Sequence, residues 1–305
     1  MSEHENTSSP RPPSPEQGST LRSASNVPSS AIGARRDLLS PRAEAVMMCA
    51  PTSYALKYVI NPWMKLENSP DLALAAEQWQ ELYRTLSEDI GATVHLIPQA
   101  EDCPDMVFTA NAGLVRGQTA LLARFRHPER QLEEPHFRAW FESQGYTVLA
   151  PDPNWNFEGE GDALFVGDTL LAGYLKRSDI RAHSWISETL EMTVLSLELT
   201  DDRWYHLDTC LFPLDPETVV YYPGAFDPYA REVIAGNFNA IPITEMEALR
   251  FACNAVVLGK DVVLPSGCPL LTAELESREF TVHSVEMSEF LKAGGAAKCL
   301  TLLLR

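Results

Sequence analysis

A block of hairpin, helix and strand recurs about every 48 residues along this 305-residue chain, and that repeat limits the fold more than any other feature. The first uninterrupted copy predicts a hairpin over 108–125 turning at Arg116-Gly117-Gln118, a helix over 134–144 and a strand over 146–149. The second places a hairpin over 162–174 with Gly167-Asp168 at its turn, a helix over 182–191 and a strand over 193–197. In the third, 206–213 and 219–222 flank Asp215-Pro216-Glu217, followed by a helix over 228–236 and a strand over 240–243. The fourth has 254–258 and 262–265 around Gly259-Lys260-Asp261, a helix over 270–277 and a strand over 281–285. A fifth unit is divided between the ends: 296–304 supplies one strand, and 45–60, a helix over 72–88 and a strand over 93–97 supply the rest. Units of this size cannot each bury an apolar face, so they must share a core. An open α/β sheet would be built from strand-helix units without a hairpin in each. The expectation is an α/β fold whose hairpin-helix-strand repeats close into a five-bladed, pseudo-symmetric α/β propeller.

The repeats begin after a stretch of different composition. Residues 1–43 hold ten Ser and six Pro and few large apolar groups to offset the entropy of ordering them. They read as a disordered tail ahead of one folded domain over 44–305. Arg22, Arg35, Arg36 and Arg42 suggest targeting, but Glu3, Glu5, Glu16 and Asp37 do not suit an acid-poor transit peptide. Acids outnumber bases 42 to 24, and a formal charge of −18 opposes attraction to nucleic acid or anionic membrane. No run approaches the roughly 18 apolar residues of a membrane span. The expected partner is therefore a small-molecule substrate, with a homo-oligomer left open. Cysteines stand at 49, 103, 210, 253, 268 and 299 without a Cys-x-x-Cys pair, which suggests neither a zinc cage nor a disulfide framework. Gly159-Glu160-Gly161 is too short for a nucleotide loop. No metal or cofactor is expected, and a reducing, cytoplasmic compartment is.

In a closed ring, equivalent positions face one axis. Asn61, Asn111, Glu158, His206, Asn254 and Cys299 follow one another at intervals of 50, 47, 48, 48 and 45 residues. Singly, each has an ordinary reading: Cys299 a buried filler, His206 a core histidine, Glu158 a surface acid, the asparagines turn residues. Together they bring a thiol, an imidazole and a carboxylate to one place, the parts of nucleophilic catalysis with a general acid/base.

Five segments carry a resemblance: Tyr58-Val59-Ile60-Asn61-Pro62-Trp63-Met64, Phe108-Thr109-Ala110-Asn111, Phe157-Glu158-Gly159-Glu160-Gly161-Asp162, His206-Leu207-Asp208 and Gly294-Gly295-Ala296-Ala297-Lys298-Cys299. In this order they resemble the guanidino-group-modifying (pentein) superfamily, which includes arginine deiminases, dimethylarginine dimethylaminohydrolases, amidinotransferases and arginine dihydrolases. The resemblance covers essentially everything after the tail and implies a five-bladed α/β propeller with a covalent thiol mechanism that needs no metal. It makes Cys299 the nucleophile, His206 the general acid/base, and Glu158 the carboxylate that orients the imidazole or grips a guanidinium nitrogen. Asp208 matches the second acid of a His-x-Asp element; on a strand, residues two apart share a face, so both would enter one pocket. Arg130 matches an arginine that binds the amino acid's α-carboxylate, with Arg124 the runner-up, since a planar fork suits that task. Asn61, Asn111 and Phe108 complete the substrate-binding set. Asp162 is carried as a substrate contact or a support, Glu160 as a solvated acid, and the other five cysteines as incidental.

Asn111 separates the reactions that the resemblance allows. Deiminases carry an aspartate there, whereas Phe-Thr-Ala-Asn with Ile-Asn-Pro-Trp-Met upstream resembles the dihydrolases. A carboxylate best holds a cation, while an amide can also donate to the oxygen of a neutral ureido group. Arginine dihydrolase, giving ornithine, carbon dioxide and ammonia, is therefore the leading expectation. Citrulline-forming deiminase and dimethylarginine hydrolase are the alternatives, with a non-catalytic arginine-binding module behind them.

Overall fold

The computed structural model describes residues 45–305, and the tail expected over 1–43 lies outside the described residues. Fifteen short strands form along them. They are β1 (Ala45–Cys49), β2 (Thr93–Ile97), β3 (Gly113–Arg116), β4 (Thr119–Leu122), β5 (Thr147–Leu149), β6 (Ala163–Val166), β7 (Thr169–Tyr174) and β8 (Thr193–Glu198). The remainder are β9 (Leu211–Pro213), β10 (Thr218–Tyr221), β11 (Asn239–Pro242), β12 (Val256–Leu258), β13 (Asp261–Pro265), β14 (Thr281–Val285) and β15 (Leu302–Leu304).

These strands make five three-stranded sheets of one pattern: β3-β4-β5, β6-β7-β8, β9-β10-β11, β12-β13-β14 and β15-β1-β2. In each, the middle strand pairs antiparallel with one neighbour and parallel with the other, as Leu121 does with Leu114 and Leu149. The hairpins turn where the sequence supplies glycine in the left-handed region, at Gly117, Gly167 and Gly259. Parallel pairing requires a crossover, and a helix provides it each time: Leu72–Arg84, Glu134–Ser143, Ile180–Leu190, Pro228–Asn237 and Pro269–Ser277. Asp71, Asp179 and Asp227 cap three of these helices by accepting first-turn N–H groups. The middle strands are buried on both faces, as at Val219, Val220, Val262, Val263 and Leu264. The divided fifth unit is completed as expected, β15 pairing with β1 through Leu302 and Met47. Among the described residues no helix is long and apolar enough to cross a membrane.

Three local expectations are corrected. The segment 45–60 is a strand only to Cys49, because Pro51 and the turn at Thr52 end it. Residues 108–111 and 206–209 are not strand: they enter 3-10 turns at Thr109–Ala112 and Leu207–Thr209, matched by Gly159–Gly161. Their N–H groups bond three residues back, Asn111 to Phe108 O, Thr209 to His206 O and Asp162 to Gly159 O. Thirdly, the spaced polar residues are not strictly equivalent. Counted back from the first strand of each sheet, Glu158 and His206 stand five residues ahead, Cys299 three, and Asn111 and Asn254 two. The repeat thus delivers one segment rather than one position, and Asn61, in the loop after β1, is outside the series.

Candidate active site

Cys299 sits just ahead of β15 with 2% of its surface exposed. The Asn254 side chain fastens the turn: its Oδ1 accepts the N–H groups of Ala296 and Cys299 at 3.0 and 3.1 Å, and its Nδ2 donates to Cys299 Sγ at 3.1 Å and to Asp208 O at 3.0 Å. The thiol donates to Asp208 Oδ2 at 3.3 Å, and Asp208 Oδ1 is buried without a hydrogen-bond partner. Burial, reinforced by the Asp208 charge, pushes the thiol well above its ordinary value. Burial likewise lifts the Asp208 carboxyl to about 7, against the pull of Lys298. At rest this is a thiol rather than a thiolate.

His206 faces the other side. Its Nε2 lies 2.7 Å from Glu158 Oε2, which also accepts from Arg177 Nη1 at 3.1 Å, while Glu158 Oε1 accepts the Arg126 N–H at 3.0 Å. Burial alone would raise the Glu158 carboxyl, but Arg177, His206 and Arg130 outweigh it and hold the group well below the usual carboxylate range. Burial lowers the His206 imidazole to about 4 despite that carboxylate, with Arg177 and Arg130 adding to the effect. A neutral ring beside an anion carries its hydrogen on Nε2, which leaves Nδ1 as the nitrogen able to take a proton. His206 and Asp208 therefore do not share a strand face as expected. The 3-10 turn between them sends one to Glu158 and the other to Cys299.

Asn111 joins the histidine side. Arg130 Nη1 donates to its Oδ1 at 2.6 Å, and since a guanidinium has only donors the amide nitrogen must face the other way. That nitrogen lies 3.5 Å from Glu158 O and flanks Gly161, where an added Cβ would fall 2.3 Å from Asn111 Nδ2 and 3.2 Å from the His206 ring. Only glycine permits this approach. Arg130 is not the free clamp expected for a substrate carboxylate: its fork is held bidentate by Glu133 at 2.9 and 2.8 Å, and Nη2 also donates to Asp105 O.

The other expected residues divide. Asn61 fastens local backbone: its Oδ1 accepts from Trp63 and Met64 and its Nδ2 donates to Ala293 O, near the cysteine turn. Phe108 packs edge-on to Tyr54 and Phe290. Arg124 is half-buried and bridges Phe157 through its backbone. Asp162 accepts from Ser178 and from the Leu207 N–H. Glu160 is not the solvated acid expected but is buried against Lys298 Nζ at 2.9 Å. The reading of spacing missed Arg177, Ser178 and Asp105, which fall outside the repeat-spaced series. Asp105 Oδ1, like Asp208 Oδ1, is buried and unpaired. Among the buried residues linked here, six carboxyls (Asp105, Glu133, Glu158, Glu160, Asp162, Asp208) stand against three cations (Arg130, Arg177, Lys298). That surplus of acid suits a cationic guest.

A family model described as N,N dimethylarginine dimethylhydrolase, eukaryotic, matches residues 54–305. The chain belongs to this family. The resemblance of its motifs to guanidino-group-modifying enzymes is thereby borne out. Among its relatives is the bifunctional arginine dihydrolase/ornithine cyclodeaminase ArgZ of Synechocystis sp., 46% identical over 263 residues, which span 84% of this chain and 37% of that protein. The chain thus matches well under half the length of that relative. The N(G),N(G)-dimethylarginine dimethylaminohydrolase of Mycobacterium tuberculosis is 42% identical over 265 residues, 86% of either chain. Among solved structures, the N-terminal domain of ArgZ, a cysteine-to-serine mutant bound to substrate, superposes with a TM-score of 0.83 at 45% identity, over 86% of this chain and 98% of that one. The family's mixed α/β fold is the one described above.

Proposed function

We propose that this chain hydrolyses the guanidino group of arginine through a covalent bond to Cys299, and carries the product onward from citrulline to ornithine, carbon dioxide and two ammonia. The orientation of Asn111 carries the choice of reaction. With Oδ1 held by Arg130, the amide nitrogen faces the Glu158 carbonyl and Gly161, which also borders the His206 ring, and its second N–H can there meet the oxygen of a neutral ureido group. An aspartate held in the same way would offer only an acceptor. The relatedness to ArgZ, an arginine dihydrolase by name, supports the same reading.

The guanidinium seats against Asp208, whose Oδ1 lacks a partner, and brings the positive charge that the buried acids leave wanting. That charge favours the thiolate, and the thiol proton passes to His206 Nδ1. Sulfur adds to the guanidinium carbon, the bond to one terminal nitrogen breaks, and His206 returns the proton to the departing ammonia. Water, deprotonated by the same nitrogen, adds to the carbon, and citrulline leaves the sulfur. A second round on the ureido carbon releases a second ammonia, and the N-carboxyornithine freed by water loses carbon dioxide. In this reading Arg130 orients Asn111, while Glu158 holds the imidazole and its tautomer. Closure of the five sheets into a ring belongs to the same proposal. It is supported by links between units, Asn254 ahead of β12 to Cys299 ahead of β15, and Lys298 to Glu160 ahead of β6.

Incubation of the pure protein with arginine, followed by chromatography of ammonia, citrulline and ornithine, tests the proposal. Wild type should yield two ammonia per ornithine, and Asn111→Asp should shift the product toward citrulline. Citrulline as the sole wild-type product would leave a deiminase. Dimethylamine released from dimethylated arginine faster than ammonia from arginine would leave the dimethylarginine reaction.

A further inference from the structure

Asp162 is buried, and its side chain reaches two other segments of the site directly and a third through Ser178. Its Oδ2 accepts the Ser178 hydroxyl at 2.6 Å and the Ser178 N–H at 3.2 Å, and its Oδ1 accepts the Leu207 N–H at 3.1 Å. Ser178 Oγ accepts in turn the N–H of Glu158 at 3.0 Å. Ser178 directly follows Arg177, the ion-pair partner of Glu158, and Leu207 directly follows His206. Asp162 is itself held at both backbone ends, its N–H on Gly159 O and its carbonyl under Gly173 N–H. The Asp162 side chain therefore ties together the backbones that present Glu158 and Arg177, at either end of the β6–β7 hairpin, and His206 at the start of the next unit. We propose that Asp162, acting through Ser178, is a positioning residue for the Glu158–Arg177–His206 group. It sets the 2.7 Å contact between imidazole and carboxylate without touching the reacting atoms. This rests on the acid/base reading of His206 given above.

The physical reason is geometric. The hydrogen bond that fixes the imidazole tautomer bridges two loops with no strand pairing between them, and displacements of an ångström in such groups are costly to rate. A brace made of three donors to one carboxylate removes that freedom. Asp162→Asn keeps the shape and the acceptor for Leu207, but sets an amide N–H against the Ser178 N–H. Ser178→Ala removes only the hydroxyl link, and Ser178→Thr restores it.

The test combines steady-state kinetics with ring-nitrogen NMR of His206. In Asp162→Asn, kcat should fall by roughly 10-fold or more with KM for arginine changed less than about threefold, since position and not affinity is lost. Ser178→Ala should fall less, and Ser178→Thr should recover most of the rate. In wild type the His206 ring should stay neutral and Nε2-protonated through neutral pH, and in Asp162→Asn its signals should shift toward a mixture of tautomers. Unchanged kcat in folded Asp162→Asn and Ser178→Ala, a change confined to KM, or His206 signals identical to wild type would overturn the brace. If Asp162→Asn does not fold, the Ser178 pair decides. If wild type turns over no guanidino substrate the proposed reaction fails, while the NMR comparison still judges the brace.

Discussion

Around His206 the buried charges are matched: Glu158 accepts from the imidazole, from Arg177 and from a backbone N–H, and its carboxyl is held well below the usual range. Around Cys299 they are not: Asp208 keeps an unpaired oxygen, its carboxyl is pushed up to about 7, and the thiol beside it is pushed up as well. One half is a finished electrostatic structure that needs no guest, and the other is short of a positive charge. Preorganised dipoles act without rearrangement at the moment of reaction, whereas a group left unsatisfied at rest is satisfied only by what binds. On the proposed mechanism the acid/base half is thus built into the fold, and the nucleophile half would be completed by the substrate.

The largest expected effect lies on the unfinished side. Cys299→Ser replaces the attacking sulfur by a hydroxyl that Asp208 and a neutral His206 cannot activate to the same degree, so turnover should vanish while the melting temperature stays near that of wild type. Mass spectrometry of acid-quenched wild type should find the adduct on Cys299. An adduct on Cys268, or normal rates in the serine variant, would break the assignment. On the finished side, His206→Ala should lower kcat by roughly 10² or more, because one imidazole serves both the departing ammonia and the attacking water. A loss expressed only in KM would move His206 from proton transfer to substrate binding.

The same contrast explains what could be read from the residues. The sheets were legible because hairpin turns and alternating apolar strands leave local marks, down to Gly117 and Gly167 at their turns. The turns at the candidate site were not, since Phe108–Asn111 and His206–Thr209 run directly into strands and only the hydrogen bonds distinguish a 3-10 turn. Cys299, His206 and Glu158 emerged from spacing and motif together. Arg177 and Ser178 did not, because they enter the site from beyond β7 and answer to a partner in space rather than to the repeat. Glu160 was misread for a related reason: a buried ion pair with Lys298, 138 residues away, leaves no local signature. Arg130 reads in the sequence as a clamp for a substrate carboxylate, and its capture by Glu133 depends on a helical turn that the short segment Pro128–Gln131 does not announce.

The smallest effect is the sharpest test of the comparison, because the two halves should respond with opposite sign. Asp208 has its folded carboxyl raised from 3.8 to about 7. Between those values the folded protein holds a proton that the unfolded chain has released, so this group's contribution worsens as pH rises and stays unfavourable above 7. Asp208→Asn should therefore raise the melting temperature by about 2–4 °C at pH 8, on the scale of one kcal/mol in a chain of this size. The gain should be smaller at pH 5, and catalysis should suffer because the cation loses its carboxylate. Glu158 is displaced the other way, so its contribution is present above the ordinary value of 4.5 and is lost as pH falls toward the depressed one. Glu158→Gln should lower the melting temperature at pH 7, since Arg177 is left buried without its anion. Differential scanning calorimetry of both variants at pH 5, 7 and 8 reads the signs directly. Two losses of similar size would mean that both carboxylates are structural anchors, and that the thiol side is as complete at rest as the imidazole side.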